Sequence, residues 1–303
     1  MVYDLFCFFN ELDVLEERLD YLVDAVDFFV ICESNVTHVG TPKRLYFKEN
    51  YDRFNRFKDK IIYLTFKGEH NISNPWINEN CQRNYIMSQL QLNDQDKVII
   101  SDVDEIPSKH FLNSLLNYSG DKILISIQEF SFFQPNCRRN DIPYWSGGSR
   151  GFNFKNFENL KFLSKSYSLS FLEEYNSYNS LTKVRLTNIG IPILNGGWHL
   201  SYMGGENSVA QKLLSFAHTE ESLRIGGRID LHVNEFNSLE KNFFGKNELY
   251  IKYGTFENRY LPDCTFSKHR LAIKDKFIWI VYKYKLFFKI YLKLIFQYLK
   301  LFI

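Results

Sequence analysis

The chain has 303 residues, enough for one large or two modest domains, and its 45% hydrophobic and 24% charged content is that of a globular protein with an ample core. The net charge of +2 is uneven, because residues 274–303 hold seven Lys and one Asp, which leaves a mildly acidic body and excludes a basic nucleic-acid-binding domain there. The cysteines (Cys7, Cys32, Cys81, Cys137, Cys264) are odd in number and widely spaced, without a Cys-x-x-Cys pair, which argues against a zinc site or a disulfide framework.

Tyr3–Phe9 reads as a strand ending in the polar turn Asn10-Glu11. Leu12, Leu15, Leu19, Leu22 and Val26 fall at helical spacing and predict an amphipathic helix over Leu12–Val26. Asp27–Cys32 is the next strand, closed by Glu33-Ser34; Ile61–Phe66 is a third, and Trp76–Leu92 a helix. Cys7 and Cys32 lie inside apolar runs and read as small core residues. The strand–helix–strand rhythm through about residue 107 implies a parallel sheet covered on both faces.

The next apolar run, Val98–Ser101, ends in Asp102-Val-Asp104-Glu105. Carboxylates at alternate positions past a buried strand share one side of the chain. Such a pair is a hard-oxygen site suited to Mg²⁺ or Mn²⁺, at the strand end where open α/β sheets bind ligands. The plainer reading is an acidic loop before a helix that starts at Pro107-Ser108. Beyond Asp121 the pattern turns strand-rich and irregular, with turns expected at Gly147-Gly148, Gly190, Gly196-Gly197 and Gly204-Gly205.

Asn10, Glu11, Glu33, Ser34, Asp102 and Asp104 all end strands that open onto one sheet edge, and Arg83 and Asn84 on the following helix reach the same edge. A nucleoside diphosphate needs this mixture of acceptors, a cation and a metal. Neither a G-x-G-x-x-G nor a G-K-[ST] phosphate loop is present, which argues against a Rossmann dehydrogenase or a P-loop enzyme. A second region, Asn195-Gly-Gly-Trp198-His199 through Glu206, followed by Lys212 to His218, has the paired glycines of a binding loop. His199 is a candidate third metal ligand or pyrophosphate contact, His218 a candidate phosphate donor and Trp198 a candidate donor contact. The plainer reading makes Trp198 core and both histidines locally satisfied.

In chain order, Phe9-Asn10-Glu11-Leu12-Asp13 with Arg18-Leu19, Val26 through Asn35, Thr37 with Gly40, Pro42 and Leu45, Trp76 with Glu79, Gln82-Arg83-Asn84, Asp102 through Pro107, Gly197-Trp198-His199 with Ser201, and Glu206 resemble glycosyltransferase family 17. The resemblance spans roughly residues 3–220. It implies a GT-A-like, Rossmann-type mixed α/β sheet flanked by helices, a UDP-N-acetylglucosamine donor and transfer with inversion, β-linked. It also implies that Asp102 and Asp104, helped by Glu105, hold Mn²⁺ or Mg²⁺ against the donor diphosphate. Inversion needs a carboxylate base near the acceptor hydroxyl. Glu206, after the flexible Gly204-Gly205, is the candidate, with Asp141, Glu129 and Asp230 as rivals.

Two other readings stay open. A haloacid-dehalogenase-like phosphatase also uses a strand followed by Asp-x-Asp, though its motif lies near the amino terminus. A membrane-bound carbohydrate-binding protein without turnover is the non-enzymatic reading. The expected organisation is a glycosyltransferase domain over residues 1–265, with a nucleotide-sugar half at 1–107 and an acceptor half at 108–265, followed by a basic amphipathic tail at 266–303. From about Lys285 the lysines of that tail follow one stripe of roughly 120° at helical spacing, leaving a wide apolar face suited to a membrane surface. The alternative is a terminal helix packed on protein, with its lysines reaching outward. The first strand begins almost at Met1, so the expectation is a cytoplasmic enzyme, peripheral at the cytosolic face of a membrane. Its expected acceptor is a surface polysaccharide or lipid-linked oligosaccharide.

Overall fold

The computed structural model describes residues 1–70, 72–132, 137–139, 144–159, 181–204, 208, 211–212, 214–215, 217 and 250–252. The first half alternates as the sequence predicts: β1 (Val2–Phe8), α1 (Leu12–Leu22), β2 (Phe28–Ser34), α2 (Tyr46–Glu49), β3 (Ile61–Phe66), α3 (Pro75–Ser88) and β4 (Lys97–Asp102). These strands pair in parallel in the order β3-β2-β1-β4. Parallel strands carry apolar side chains on both faces, which is why they read as continuous runs rather than alternating ones. Phe6, Phe29, Ile31 and Ile99 pack against Leu15, Leu19 and Phe111 on one face. Leu5, Val30 and Ile100 join Ile86, Leu181 and Val184 on the other. Fully burying each such side chain stabilises by roughly 1.5–3 kcal/mol.

The second half makes the sheet mixed. β5 (Glu105–Pro107) and α4 (Lys109–Leu116) follow the acidic turn, and Ser108 caps α4 by accepting from the Phe111 N–H at 3.1 Å. Then come β6 (Leu124–Phe132), β7 (Cys137–Arg139), β8 (Tyr144–Trp145), β9 (Arg150–Asn153), the short helix α5 (Leu181–Leu186), β10 (Ile191–Ser201) and β11 (Tyr250–Lys252). β9 inserts antiparallel between β4 and β6, and β10 bridges β6 and β5.

Three expectations need correction. The turn expected at Gly196-Gly197 is a bulge inside β10, where the register against β6 shifts between Ile193 and Gly197. Gly197 sits at φ +145°, and a Cβ there would lie 2.0 Å from the Ile106 carbonyl oxygen, so the glycine permits close approach within a strand. The first helix stops at Leu22 rather than Val26, because Asp27 folds back and its carboxylate accepts from the Val2 N–H at 2.6 Å. The third helix stops at Ser88 rather than Leu92. Among the described residues, no helix is long and apolar enough to cross a membrane. The tail at 266–303 lies outside the described residues.

Candidate functional site

The acidic turn is held from beneath by a buried arginine. Arg18 projects from α1 and grips Asp4 of β1 through two hydrogen bonds, Nε to Oδ2 at 2.8 Å and Nη2 to Oδ1 at 2.6 Å, with both side chains fully buried. Its Nη1 donates to the main-chain carbonyls of Asp102, Val103 and Glu105 at 2.9, 3.2 and 3.0 Å, and its Nη2 reaches the Ser101 hydroxyl at 2.6 Å. From above, the Leu200 N–H of β10 donates to the Asp104 carbonyl at 2.7 Å. The turn backbone is thus fixed on two sides. A buried charge so fully satisfied rigidifies its surroundings.

Each carboxylate of the turn meets a cation. Asp102 accepts from Arg83 Nη2 of α3 at 2.7 Å and from Arg185 Nη2 of α5 at 3.2 Å. Arg83 also pairs with Glu79, one helical turn earlier, at 2.6 Å. Asp104 accepts from Lys212 Nζ at 2.6 Å, with His199 Nε2 at 3.7 Å on its other oxygen. Glu105 is buried, accepts from Trp145 Nε1 at 2.9 Å and from Arg185, and caps the Asp102 N–H at 3.0 Å. Burial opposes ionisation of Asp102, but Arg83 and Arg185 outweigh it and hold the carboxyl far below the usual carboxylate range. Burial likewise opposes the charge on Asp104, and Lys212 and His199 override it. Burial works against the charge on Lys212, yet Asp104 and Glu11 raise its ammonium above the usual lysine range.

A cavity of about 610 Å³ opens over this turn. Phe9 after β1, Val36 after β2 and Trp76 of α3 give it an apolar wall, with His38 beside Glu79 at 3.6 Å. Burial keeps His38 below its ordinary pKa, although Glu79 pulls the other way. Phe130, Trp145 and His199, from β6, β8 and β10, line it as well, and Arg83, Arg185 and Lys212 reach the cavity near the carboxylates. Such a volume, with apolar walls and charges that converge on one turn, is that of a small-molecule site. Cys7 packs against the core as the sequence suggests and also faces this cavity. Its thiol is pushed well up by burial, against the pull of Arg83. Cys32 is core, as expected, and burial lifts its thiol to about 12.

The predicted residues divide. Glu11, Arg83, Asp102, Asp104 and His199 gather around the cavity. Glu11 accepts from the Phe9 and Asn10 N–H groups at 3.3 and 3.1 Å and stands 3.7 Å from Lys212. Asn10 instead donates to Gln211 at 2.7 Å. Glu33 is buried away from the cavity lining, where it accepts from Tyr63, Lys43 and the Phe47 N–H. Asn84 accepts from the Thr182 N–H at 3.2 Å and ties α3 to α5. Trp198 packs edge-on against Tyr21 at 5.3 Å and is partly buried against the core, in keeping with its plainer reading. Glu129 is buried in β6 opposite Tyr144 and Trp198. Glu206, His218, Asp141 and Asp230 lie outside the described residues.

Arg185, Lys212 and Trp145 were not legible as site residues, since isolated charges and a lone tryptophan in an irregular region carry no spacing signal. Arg18 did leave a signal. It falls three residues after Leu15 and four before Leu22, at the edge of the apolar stripe, where a charge needs a buried partner.

The two aspartates suit a hard divalent cation by the chemistry of their oxygens. A carboxylate has about four lone-pair directions; Arg83 and Arg185 take one on each Asp102 oxygen, and Lys212 takes one on Asp104. Among the described residues no third His, Cys, Asp or Glu completes a protein cage. Mg²⁺ commonly binds through one or two carboxylates plus substrate phosphates, and Asp102 and Asp104 fit that pattern.

Known proteins bear on this geometry. Residues 1–132 match the family model of glycosyltransferase family 17. The matched part contains the acidic turn, Arg18 and Arg83, so the resemblance read from the sequence holds. The β-1,4-mannosyl-glycoprotein 4-β-N-acetylglucosaminyltransferase of Rattus norvegicus is 26% identical over 299 residues, covering 90% of this chain and 53% of the relative. The human protein of the same name is 34% identical over 122 residues, 37% of this chain and 22% of its own. The chain therefore spans about half the length of the rat relative. Among solved structures, 4-diphosphocytidyl-2C-methyl-D-erythritol synthase aligns at TM-score 0.38 and 11% identity, over 70% of this chain and 97% of that one. A galactosyltransferase solved with donor and acceptor sugar analogues aligns at TM-score 0.36 and 12% identity, over 61% and 69%.

Proposed function

We propose that this chain is a glycosyltransferase that moves a sugar from a nucleoside diphosphate donor to a hydroxyl of a glycan. The observation that carries the reading is the acidic turn Asp102-Val-Asp104-Glu105, rigidly held at the carboxyl end of β4 and opening into the 610 Å³ cavity. The family match over residues 1–132 supports the same chemistry.

In this reading the base and ribose lie against Phe9, Val36 and Trp76, and the diphosphate lies over Asp102 and Asp104. Those two carboxylates would hold Mn²⁺ or Mg²⁺, which supplies Lewis-acid neutralisation of the charge that develops on the departing phosphate. Arg83 and Arg185 are cations already placed at that point and need no reorganisation during reaction. Lys212 stands beside Asp104 and adds a third positive charge. N-acetylglucosamine as the sugar, inversion to a β-linkage and Glu206 as the base that takes the acceptor proton belong to the same proposal, drawn from the named relatives and from the sequence. So do a surface polysaccharide or lipid-linked acceptor, the division into residues 1–265 and 266–303, and peripheral attachment of the tail at the cytosolic face of a membrane.

The test is a thermal-shift panel of UDP-, GDP-, CMP- and dTDP-sugars, each with Mn²⁺ or with EDTA. A metal-dependent rise with a UDP-sugar that disappears in Asp102→Ala/Asp104→Ala supports the reading by mass action. A folded protein that responds to none of these donors overturns it.

A further inference from the structure

We propose that Trp145, backed by Phe130 and His199, is a platform for the C–H face of a pyranose ring. This rests on the proposed function and adds where in the cavity the sugar lies.

The three rings form one group. Phe130 and His199 stack with centroids 4.5 Å apart and planes 11° apart, and Trp145 stands 5.2 Å from each. All three line the cavity. None joins either hydrophobic core cluster of the described residues, although Phe130 is only 6% exposed. Aromatic area of this size is normally invested in the core. Here it is built onto the wall of the site.

The group is locked to the acidic turn from both sides. Trp145 Nε1 donates to Glu105 Oε1 at 2.9 Å, which fixes the indole in its plane, and His199 Nε2 stands 3.7 Å from Asp104 Oδ1. Gly147 lies directly against the indole: a Cβ there would come within 2.5 Å of the ring. The Gly147 carbonyl accepts from Arg185, so one arginine connects the platform, Glu105 and Asp102. Among the described residues His199 Nδ1 has no hydrogen-bond partner, so its ring is held by stacking on Phe130 and by its approach to Asp104.

A pyranose ring suits this wall chemically. Its C–H bonds are weakly electropositive and meet the negative face of an aromatic ring, while its hydroxyls need donors and acceptors around the rim. A nucleobase would also stack, but Phe9 after β1 and Trp76 of α3, on different elements from the three rings, offer it an aromatic surface of its own. A second copy of that surface beside the acidic turn is suited to the sugar. Two sources share the chemistry, the donor's transferred sugar and a sugar of the acceptor.

Calorimetric titration separates them, using UDP, UDP-N-acetylglucosamine and, on the UDP complex, chitobiose and mannobiose, each with Mn²⁺ and the full chain. For Trp145→Ala the ratio of sugar-nucleotide to UDP affinity falls by about three- to tenfold, the worth of one aromatic contact, over and above any common loss from the missing hydrogen bond to Glu105. Trp145→Phe, which keeps a ring without the N–H, restores most of it. Loss with UDP-N-acetylglucosamine assigns the platform to the donor sugar; loss with the disaccharides assigns it to the acceptor. An unchanged ratio of sugar to UDP affinity for every sugar in Trp145→Ala overturns the platform alone. A wild-type protein that binds no nucleotide overturns the proposed function and the platform with it.

Discussion

Arg18 Nη1 donates to the main-chain carbonyl of Asp102 at 2.9 Å while the same guanidinium holds Asp4 in a two-bond grip. One buried side chain therefore sets the position of the acidic turn without approaching the cavity. Arg18→Ala would leave the Asp4 carboxyl buried without its partner and free three carbonyls. The expected loss is about 3–5 kcal/mol of stability, read from urea unfolding. Arg18→Lys, which cannot fork between carboxylate and carbonyls, should recover only part of it.

Asp104→Asn removes the carboxylate that Lys212 and His199 face. Donor turnover, measured as UDP released, should fall by about 10²-fold or more, with loss of the Mn²⁺-dependent thermal shift. Retention of both would show that Asp104 is not part of the diphosphate site.

Glu33→Gln should separate structure from binding. The wild-type carboxylate accepts from the Tyr63 hydroxyl on Oε2 at 2.9 Å and from Lys43 Nζ on Oε1 at 3.2 Å, with the Phe47 N–H of α2 shared between them. The amide cannot accept at both ends, so stability should drop by about 1–3 kcal/mol while nucleotide affinity is unchanged. A selective loss of nucleotide affinity would return Glu33 to the donor contacts expected from its strand-end position.

Gly197→Ala places a Cβ 2.0 Å from the Ile106 carbonyl at a φ of +145°. The backbone strain alone costs about 1–3 kcal/mol, and the clash pushes β10 away from β5. The urea midpoint and nucleotide affinity should fall together, because Ile106 adjoins Glu105.

The pH dependence of stability should be carried by His38 near neutrality. Its folded pKa lies below the ordinary value, so below about pH 6.5 the unfolded chain binds the proton more readily. Stability therefore falls as pH drops through that window. Asp102 and Asp104, whose folded pKa values are depressed, stabilise the fold above about pH 4 and lose that contribution only at lower pH. His38→Gln should flatten the difference in urea midpoint between pH 5 and pH 7 and leave the acid limb in place. Glu79, Arg83, Asp102 and Glu11 surround His38 electrostatically and remain in that variant.

The parallel half of the sheet was legible because its strands are unbroken apolar runs and α1 carries a clear helical period. Phe6, Val30 and Ile100 announce themselves by composition. Asp102 and Asp104 were legible because they interrupt such a run. The rest depends on pairing between distant segments. β5 has three residues and β10 breaks its own alternation at Asn195-Gly196-Gly197, so neither has a local period to detect. Arg185 meets Asp102 across 83 positions of chain, a relationship that no window along the sequence contains. Glu33 shows the opposite error: a strand-end carboxylate looks like a ligand contact until a tyrosine and a helix N-terminus are found to occupy it.

The partners of the acidic turn come from both ends of the described chain: Arg18 and Arg83 precede it, and Arg185, His199, Leu200 and Lys212 follow it by eighty residues or more. A protein split between residues 132 and 181 would thus divide one electrostatic unit in two. The amino-terminal fragment would keep every acidic residue of the turn and lose two of the three cations that balance them. Such halves are natural reporters of reassembly, because nucleotide binding would return only when the cut edges of the sheet found each other again.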